Sequence, residues 1–334
     1  MAHYAASLHL PYCIVVELPA VELLCYPFLL FSVRVALVVY TAIQYLLVVA
    51  GAVCMAGTVD RSNRPLAVAA MVASPATFLL GYYGQIGAGV FVFTAVGLWA
   101  RFNRRWLILG FCIAAAIFVK PQLGICAALP LAWGAPRPAW KAFAGTVAGF
   151  GALTGAILGP HGIPDYYQAL RAFSISPQVT ANGEGLGISS LYRSWLPGQW
   201  TPGLSASLDI VIVTCICLLF YRYGRSPSNA AVALLTFLLV LLLPYSHQYD
   251  AIILYPAMFL AWTTVNKEGM AYAALLIGYA LIYVTPLMAI SAYTFNFRLL
   301  ALGVMLCVPA LLRSGETATR YTVRPETVAG TLAS

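Results

Sequence analysis

The sequence has little charge and little histidine. Only 8% of its 334 residues are Asp, Glu, Lys or Arg, whereas soluble globular proteins carry about 25%. Histidine occurs four times, too rarely and too far apart for a histidine-rich metal site. The shortage of charge excludes a soluble globular domain. The scarcity of histidine predicts that no metal is bound.

Several sequence signatures are also missing. The chain has no Walker loop, no dinucleotide glycine fingerprint and no His-Glu helix of a zinc protease, so we expect no cofactor. Its 18 Lys and Arg residues stand singly or in pairs between apolar runs, which predicts no nucleic-acid partner. The eight cysteines lie almost entirely inside apolar runs and lack the spacing of a disulfide framework.

Long apolar runs are abundant instead. Hydrophobic residues make up 62% of the chain, and the mean hydropathy is +0.86. Because a helix needs about 20 apolar residues to cross a bilayer core, the sequence predicts an all-α polytopic integral membrane protein with about 11 transmembrane or partly spanning helices. These are predicted at 33–56, 65–81, 86–100, 106–119, 122–135, 140–158, 205–222, 229–244, 250–265, 270–285 and 297–312.

The chain divides into three parts. Residues 1–32 form an interfacial segment or a partial span, residues 33–312 form one transmembrane domain with an outer loop at 159–204, and residues 313–334 form a disordered tail. Basic residues near span ends stay in the cytoplasm. Thirteen Lys and Arg residues lie in one set of breaks and five in the other. This asymmetry predicts a cytoplasmic C-terminus and an outward-facing loop 159–204.

The break at Lys120 is expected to carry chemistry. It lies between two segments of about 14 residues, each about 21 Å long and too short to cross the bilayer comfortably. A cation below the membrane surface needs a partner, so we interpret Lys120, with Gln122 as a second donor, as a phosphate ligand. The alternative is a lysine at a helix end whose ammonium reaches the interface.

Other outer breaks hold further candidates. His247 and Asp250 share one face if their turn is helical, and they then form an acid–base or phosphate-binding pair. Alternatively, Asp250 caps a helix that begins at Ala251, and His247 is merely interfacial. Gln85 lies in a glycine-broken turn that either admits a ligand to the backbone or serves tight helix packing. Arg193 is a further cation of the predicted outer loop.

Three motifs occur in an order that resembles glycosyltransferase family 87. They are Phe78-Leu-Leu-Gly-Tyr-Tyr-Gly-Gln85, Val119-Lys120-Pro121-Gln122-Leu-Gly and Leu243-Pro244-Tyr-Ser-His-Gln-Tyr249-Asp250. The resemblance implies a C-type glycosyltransferase fold in the bacterial inner (plasma) membrane, with the site facing outward. It also implies a hexosyltransferase that moves a sugar, typically mannose, from a polyprenyl-phosphate donor to a lipid or glycan acceptor. Membrane lipids are expected as further partners.

The resemblance also implies roles for individual residues. We expect Asp250 and His247 to be catalytic, and Lys120, Gln85 and Arg193 to bind the donor phosphate. The supporting residues are expected to be Tyr83, Gln122 and Tyr249.

One departure from the family concerns the catalytic base. Family members usually begin with one more span and an outer loop whose Asp looks like the base, whereas no Asp precedes Asp60 in this sequence. Either the true start lies upstream, or another carboxylate such as Asp250 substitutes, or the chain is an inactive remnant. Because general-base assistance is worth about 10² to 10⁴ in rate, slow turnover is expected of the chain as given. A lipid or sugar permease is the alternative from another class, although no inverted repeat is found.

Overall fold

A computed structural model gives the structure of the chain. It describes residues 26–57, 61–82, 85–174, 201–243, 248–264, 269–288, 302–309 and 311–312. These residues are mostly helical and contain no strand, so the predicted all-α class is confirmed.

The described helices are numbered here in chain order. They are α1 (Val33–Ala56), α2 (Arg64–Val72), α3 (Pro75–Tyr82), α4 (Gly87–Phe102), α5 (Trp106–Val119), α6 (Pro121–Ala127), α7 (Arg137–Ser174), α8 (Thr201–Tyr223), α9 (Asn229–Leu241), α10 (Tyr255–Thr264) and α11 (Gly269–Met288). Short 3₁₀ helices occur at Tyr26–Leu30, Arg61–Asn63, Leu129–Ala132 and Gln248–Leu254. Residues 302–309 are also helical and approach α11 closely where Gly303 meets Gly278.

The helices differ in their ability to cross a membrane. In the described part of the chain, four are long and apolar enough: Val33–Ala56, Arg137–Asp165, Gly203–Tyr223 and Gly269–Pro286. The pair Arg61–Val72 and Pro75–Tyr82, bent by 40°, makes a fifth if it counts as one span. These helices support the membrane-protein class, whereas the number of about 11 spans stays a prediction.

The shorter helices form the centre of the bundle. Side chains of α4 and α9, such as Phe91, Leu98 and Phe237, are fully buried. By contrast, no residue of the apolar window in Arg137–Asp165 is buried, as expected of a helix that faces lipid. A 16-residue helix is about 24 Å long, so α4 does not cover a hydrocarbon core of about 30 Å. Its start at Gly87 is buried, whereas its last residue, Phe102, is 41% exposed.

Prolines explain where the predicted spans and the observed helices differ. The predicted span 65–81 is divided before Pro75, and Ser74 caps the second part by accepting a hydrogen bond from the Thr77 N–H at 3.2 Å. The predicted span 122–135 is α6 followed by the 3₁₀ helix that contains Pro130. Proline lacks an N–H and clashes with the preceding turn, which breaks regular helix at these points.

The predicted outer loop 159–204 begins as helix. Residues 160–174 belong to α7, which is kinked at Gly159, where φ is 64°. Pro160 and Pro164 follow this kink closely, so each is accommodated near the start of the second helical part. The rest of the predicted loop up to residue 200 lies outside the described residues.

One end of the short helices is closed by hydrogen bonds to main-chain carbonyls, and we call it the clamp end. Arg101 Nη1 donates to the carbonyl oxygens of Leu131 and Trp133 at 2.6 and 2.8 Å. The indole N–H of Trp133 donates to the Gly224 carbonyl at 2.8 Å. These bonds join the end of α4, the turn before α7 and the end of α8. The end of α5 that carries Lys120 lies at the opposite side, and we call it the site end.

Candidate active site

Lys120 lies in a break between two helices that the sequence itself dictates. The residue before a proline is disfavoured in helical conformation, and Lys120 accordingly has extended backbone angles, φ −151° and ψ 94°. Pro121 then occupies the first turn of α6, where its missing N–H costs no hydrogen bond. Lys120 therefore belongs to neither helix, and its side chain follows the helical spacing of neither α5 nor α6.

The Lys120 ammonium forms a buried ion pair with Asp250. Its Nζ donates to Asp250 Oδ1 at 2.9 Å, and the two side chains are 11% and 1% exposed. Asp250 is the third residue of the 3₁₀ helix Gln248–Leu254, within the predicted span 250–265. The structure therefore does not place it before a helix that begins at Ala251, as the capping interpretation required. The Lys120 ammonium is buried within the protein, and its depth in the membrane stays a prediction.

A buried ion pair needs a reason beyond stability. Removing two charges from water costs several kcal/mol for each ion, and well-packed apolar residues often stabilise a protein equally well or better. The pair places an ammonium and a carboxylate side by side inside a largely apolar bundle. Such a site can accept another charged group in exchange for one of its members.

The start of α4 forms a second side of the site. A Cβ atom on Gly87 would lie 3.8 Å from Asp250 Oδ1 and 3.0 Å from Leu80 Cδ1, so the absence of a side chain permits this close approach. The first N–H groups of a helix have no intrahelical acceptor, and the helix dipole is positive there. The Asp250 carboxylate thus lies between the Lys120 ammonium and the positive end of a 16-residue helix.

The structure describes some of the predicted site residues and not others. Gln85 is half-buried two residues before Gly87, and its N–H donates to the Leu80 carbonyl at 3.1 Å. Gln122 is half-buried in the first turn of α6. Three breaks that are distant in sequence, at Gln85–Gly87, Lys120 and Asp250, therefore meet at the site end. Tyr83, Arg193 and His247 lie outside the described residues, and Tyr249 is described by its backbone alone.

Sequence reasoning missed Gln44. This residue lies within α1, is 3% exposed, and its Oε1 accepts no hydrogen bond in the described part of the chain. The available signal was a single amide side chain inside a 24-residue apolar helix, since polar groups in such helices are costly and usually functional.

The described residues contain no group of three or more His, Cys, Asp or Glu side chains that could hold a metal ion. The charged groups that the structure brings together at the described site include the Lys120 ammonium and the Asp250 carboxylate.

An apolar helical bundle with a recessed ion pair where three helix breaks meet defines a membrane protein with an internal charged site. The family model of glycosyltransferase family 87 matches residues 19–244. Because this match covers more than half of the chain, the protein belongs to glycosyltransferase family 87. The matched region contains Gln44, Gln85 and Lys120 and ends before Asp250. No curated protein and no solved structure matches the chain.

Proposed function

We propose that the protein transfers a hexosyl group, with mannose as the expected sugar, from a polyprenyl phosphate to an acceptor hydroxyl of a lipid or glycan. Membership of glycosyltransferase family 87 supports the reaction class. The buried Lys120–Asp250 pair is the observation that carries the choice of site. The distribution of basic residues supports an outward-facing site in the inner membrane and a cytoplasmic C-terminus.

Lys120 binds the donor phosphate in this proposal. During transfer the acceptor oxygen attacks the anomeric carbon, the bond from that carbon to the phosphate oxygen breaks, and polyprenyl phosphate leaves with an added negative charge. A preorganised cation in a site from which water is excluded stabilises such charge by several kcal/mol. A donor anchored by its lipid tail reaches a recessed ammonium from within the membrane, which a soluble nucleotide sugar does not do. Gln85, Gln122 and Arg193 assist in holding the phosphate.

Asp250 exchanges one role for another when the donor binds. Without donor its carboxylate is the counterion of Lys120, at 2.9 Å. The incoming phosphate replaces it, and the released carboxylate lies close to the positive end of α4. Asp250 then accepts the proton of the attacking hydroxyl, so the proton lost by the acceptor ends on the carboxylate. His247, three residues earlier, supports this transfer together with Tyr83 and Tyr249.

A double variant separates this proposal from a purely structural ion pair. Lys120→Met/Asp250→Leu replaces both charges by apolar groups, and such replacements are often neutral or stabilising. We expect the unfolding temperature of the purified double variant to lie within a few degrees of that of the wild type. The variant should nevertheless bind no mannosyl polyprenyl phosphate, and it should release no polyprenyl phosphate when a lipid extract supplies acceptors. A folded double variant with normal donor binding and transfer would refute the site.

Asp250→Asn tests the base separately. The asparagine keeps the size of the side chain and leaves Lys120 available to the phosphate, so donor binding is expected to stay within about threefold of wild type. Transfer is expected to fall by about 10² to 10⁴, the usual contribution of a general base. A transfer rate close to that of the wild type would assign the base to another residue.

A further inference from the structure

Gln44 is a buried polar group whose acceptor is unsatisfied. Its side chain is 3% exposed, and Oε1 accepts no hydrogen bond in the described part of the chain. An unsatisfied amide in an apolar interior costs about 1 to 3 kcal/mol by protein measurements, so native structures rarely retain one without a partner. The group that donates to Gln44 Oε1 therefore lies outside the described residues, and a ligand that enters the site supplies such a donor.

The helix register places Gln44 at the level of the site. Arg64 at the start of α2 donates to the Gly57 carbonyl after the end of α1, and Gly81 near the end of α3 packs against Tyr45 of α1. The pair of α2 and α3 thus runs antiparallel to α1, and α1 and α4 run in the same direction. They touch closely where a Cβ on Gly51 would lie 3.2 Å from Val92 Cα. Gln44 precedes Gly51 by seven residues, about 10.5 Å along the helix. Seven residues before Val92 stands Gln85, in the turn that leads to Gly87.

Gln44 also lies on the correct face of α1. The buried residues of this helix are Gln44, Val48, Gly51, Ala52, Met55 and Ala56. Their spacing of three and four residues defines one stripe, which includes the Gly51 contact with α4. Next to Gln44, the Tyr45 ring packs where a Cβ on Gly81 would be 2.7 Å from its Cε2. Gln44 thus belongs to the face of α1 that packs against α4.

The chemistry of Oε1 restricts what it can bind. An amide oxygen accepts hydrogen bonds and cannot donate them. A phosphodiester and a carboxylate offer only acceptors, so neither satisfies this atom. Sugar hydroxyls donate, and the sugar of the donor must lie next to the phosphate that the proposed function assigns to Lys120.

We propose that Gln44 Oε1 accepts a hydrogen bond from a hydroxyl group of the donor sugar and so distinguishes a glycosylated polyprenyl phosphate from the bare lipid phosphate. This inference rests on the proposed function and adds to it a residue that recognises the sugar. Lys120 holds the phosphate of both lipids, whereas Gln44 contributes only when the sugar is present.

The test compares two lipids on one variant. Gln44→Leu replaces the amide by an apolar group of similar size, and the affinities of mannosyl polyprenyl phosphate and of polyprenyl phosphate are measured in detergent. We expect the variant to bind the mannosyl lipid about tenfold more weakly, as for one lost hydrogen bond in a dry site, and to bind bare polyprenyl phosphate as the wild type does. Its unfolding temperature should not fall, because no satisfied hydrogen bond is removed.

Thr94→Val is the matched control. Thr94 is fully buried in α4, and its hydroxyl already donates to the Val90 carbonyl at 2.8 Å. Loss of the Thr94 hydroxyl should leave unchanged the ratio of the affinities for mannosyl polyprenyl phosphate and polyprenyl phosphate.

The possible results separate the two proposals. Equal weakening of both lipids by Gln44→Leu, or no weakening of either, refutes sugar recognition by Gln44 and leaves the phosphate site intact. Failure of the wild type to bind either lipid refutes the proposed function itself.

Discussion

The two ends of the inner helices each hold a buried or half-buried cation, and they hold it differently. At the clamp end, Arg101 donates to two main-chain carbonyls. At the site end, Lys120 donates to the carboxylate of Asp250. A carbonyl oxygen is fixed by the backbone, whereas a carboxylate on a side chain can give way to another anion. The first arrangement joins elements of the fold, and the second is the one at which we propose that the donor phosphate replaces a carboxylate.

Nearby polar groups show the same contrast. At the clamp end, the Trp133 indole and the Ser228 hydroxyl both have partners: the indole donates to the Gly224 carbonyl, and the hydroxyl caps α9 by accepting from the Ala231 N–H. At the site end, Gln44 Oε1 is buried without a donor among the described residues. Satisfied polar groups stabilise a structure, whereas the buried acceptor of Gln44, without a donor among the described residues, is the group on which the proposed sugar contact depends.

The largest effect is expected at Lys120. Lys120→Met leaves the Asp250 carboxylate buried without its ammonium, so we expect a loss of about 3 to 5 kcal/mol of stability and of all donor binding. Thermal unfolding in detergent and binding of mannosyl polyprenyl phosphate measure the two losses. Lys120→Arg should restore most of the stability but not the normal transfer rate, because a planar guanidinium does not reproduce a compact ammonium. Normal donor binding by Lys120→Met would show that the ion pair is structural.

A smaller effect with a different pattern is expected at Arg101. Arg101→Met removes two charge-assisted hydrogen bonds and should lower stability by about 2 to 3 kcal/mol. Transfer per folded molecule should remain close to normal, because the proposed donor site lies at the opposite end of the short helices. Comparison of the unfolding temperature with the specific transfer rate tests this separation. A variant that is stable but inactive would abolish the distinction between the two ends.

Gly134→Ala should have a still smaller effect. Gly134 has φ 75°, and a Cβ would lie 2.6 Å from the Arg225 carbonyl oxygen. The left-handed conformation alone costs an L-residue about 1 to 2 kcal/mol, so a decrease of at least this size in stability is expected, with unchanged donor affinity. Gly145→Ala is the matched control, since nothing lies within 4 Å of its Cβ position. Equal unfolding temperatures for the two variants would contradict the packing at Gly134.

The smallest perturbation tests the orientation of the two ends. A cysteine at Ser189 is expected to react with a thiol reagent that cannot cross the membrane, whereas a cysteine at Ser226 is not, in intact cells. Neither change should alter stability measurably, since surface substitutions usually stay within about 0.5 kcal/mol. The opposite labelling pattern would place the site end in the cytoplasm and contradict a lipid-phosphate donor on the outer face.

The helices without an internal break could be predicted from sequence, because their length and apolarity define them. The predicted ranges 33–56 and 106–119 coincide with α1 and α5. The continuation of α7 as a helix beyond Gly159 could not be predicted from sequence, because Pro160 and Pro164 are equally typical of a loop. The division of 122–135 was also missed, since proline is tolerated within membrane helices when neighbouring groups satisfy the freed carbonyls.

The sequence by itself determined that the chain is an apolar helical membrane protein, that polar residues concentrate at a few breaks, and that three motifs follow the order of one glycosyltransferase family. Only the tertiary structure decided that Lys120 meets Asp250, 130 residues later, and that α1 packs against α4 at Gly51. The reason is physical. Hydropathy fixes which segments leave water, but in an apolar surrounding the mutual packing of helices depends on shape and close approach, as at Gly51 and Gly87, and these contacts have no periodic signal in the sequence.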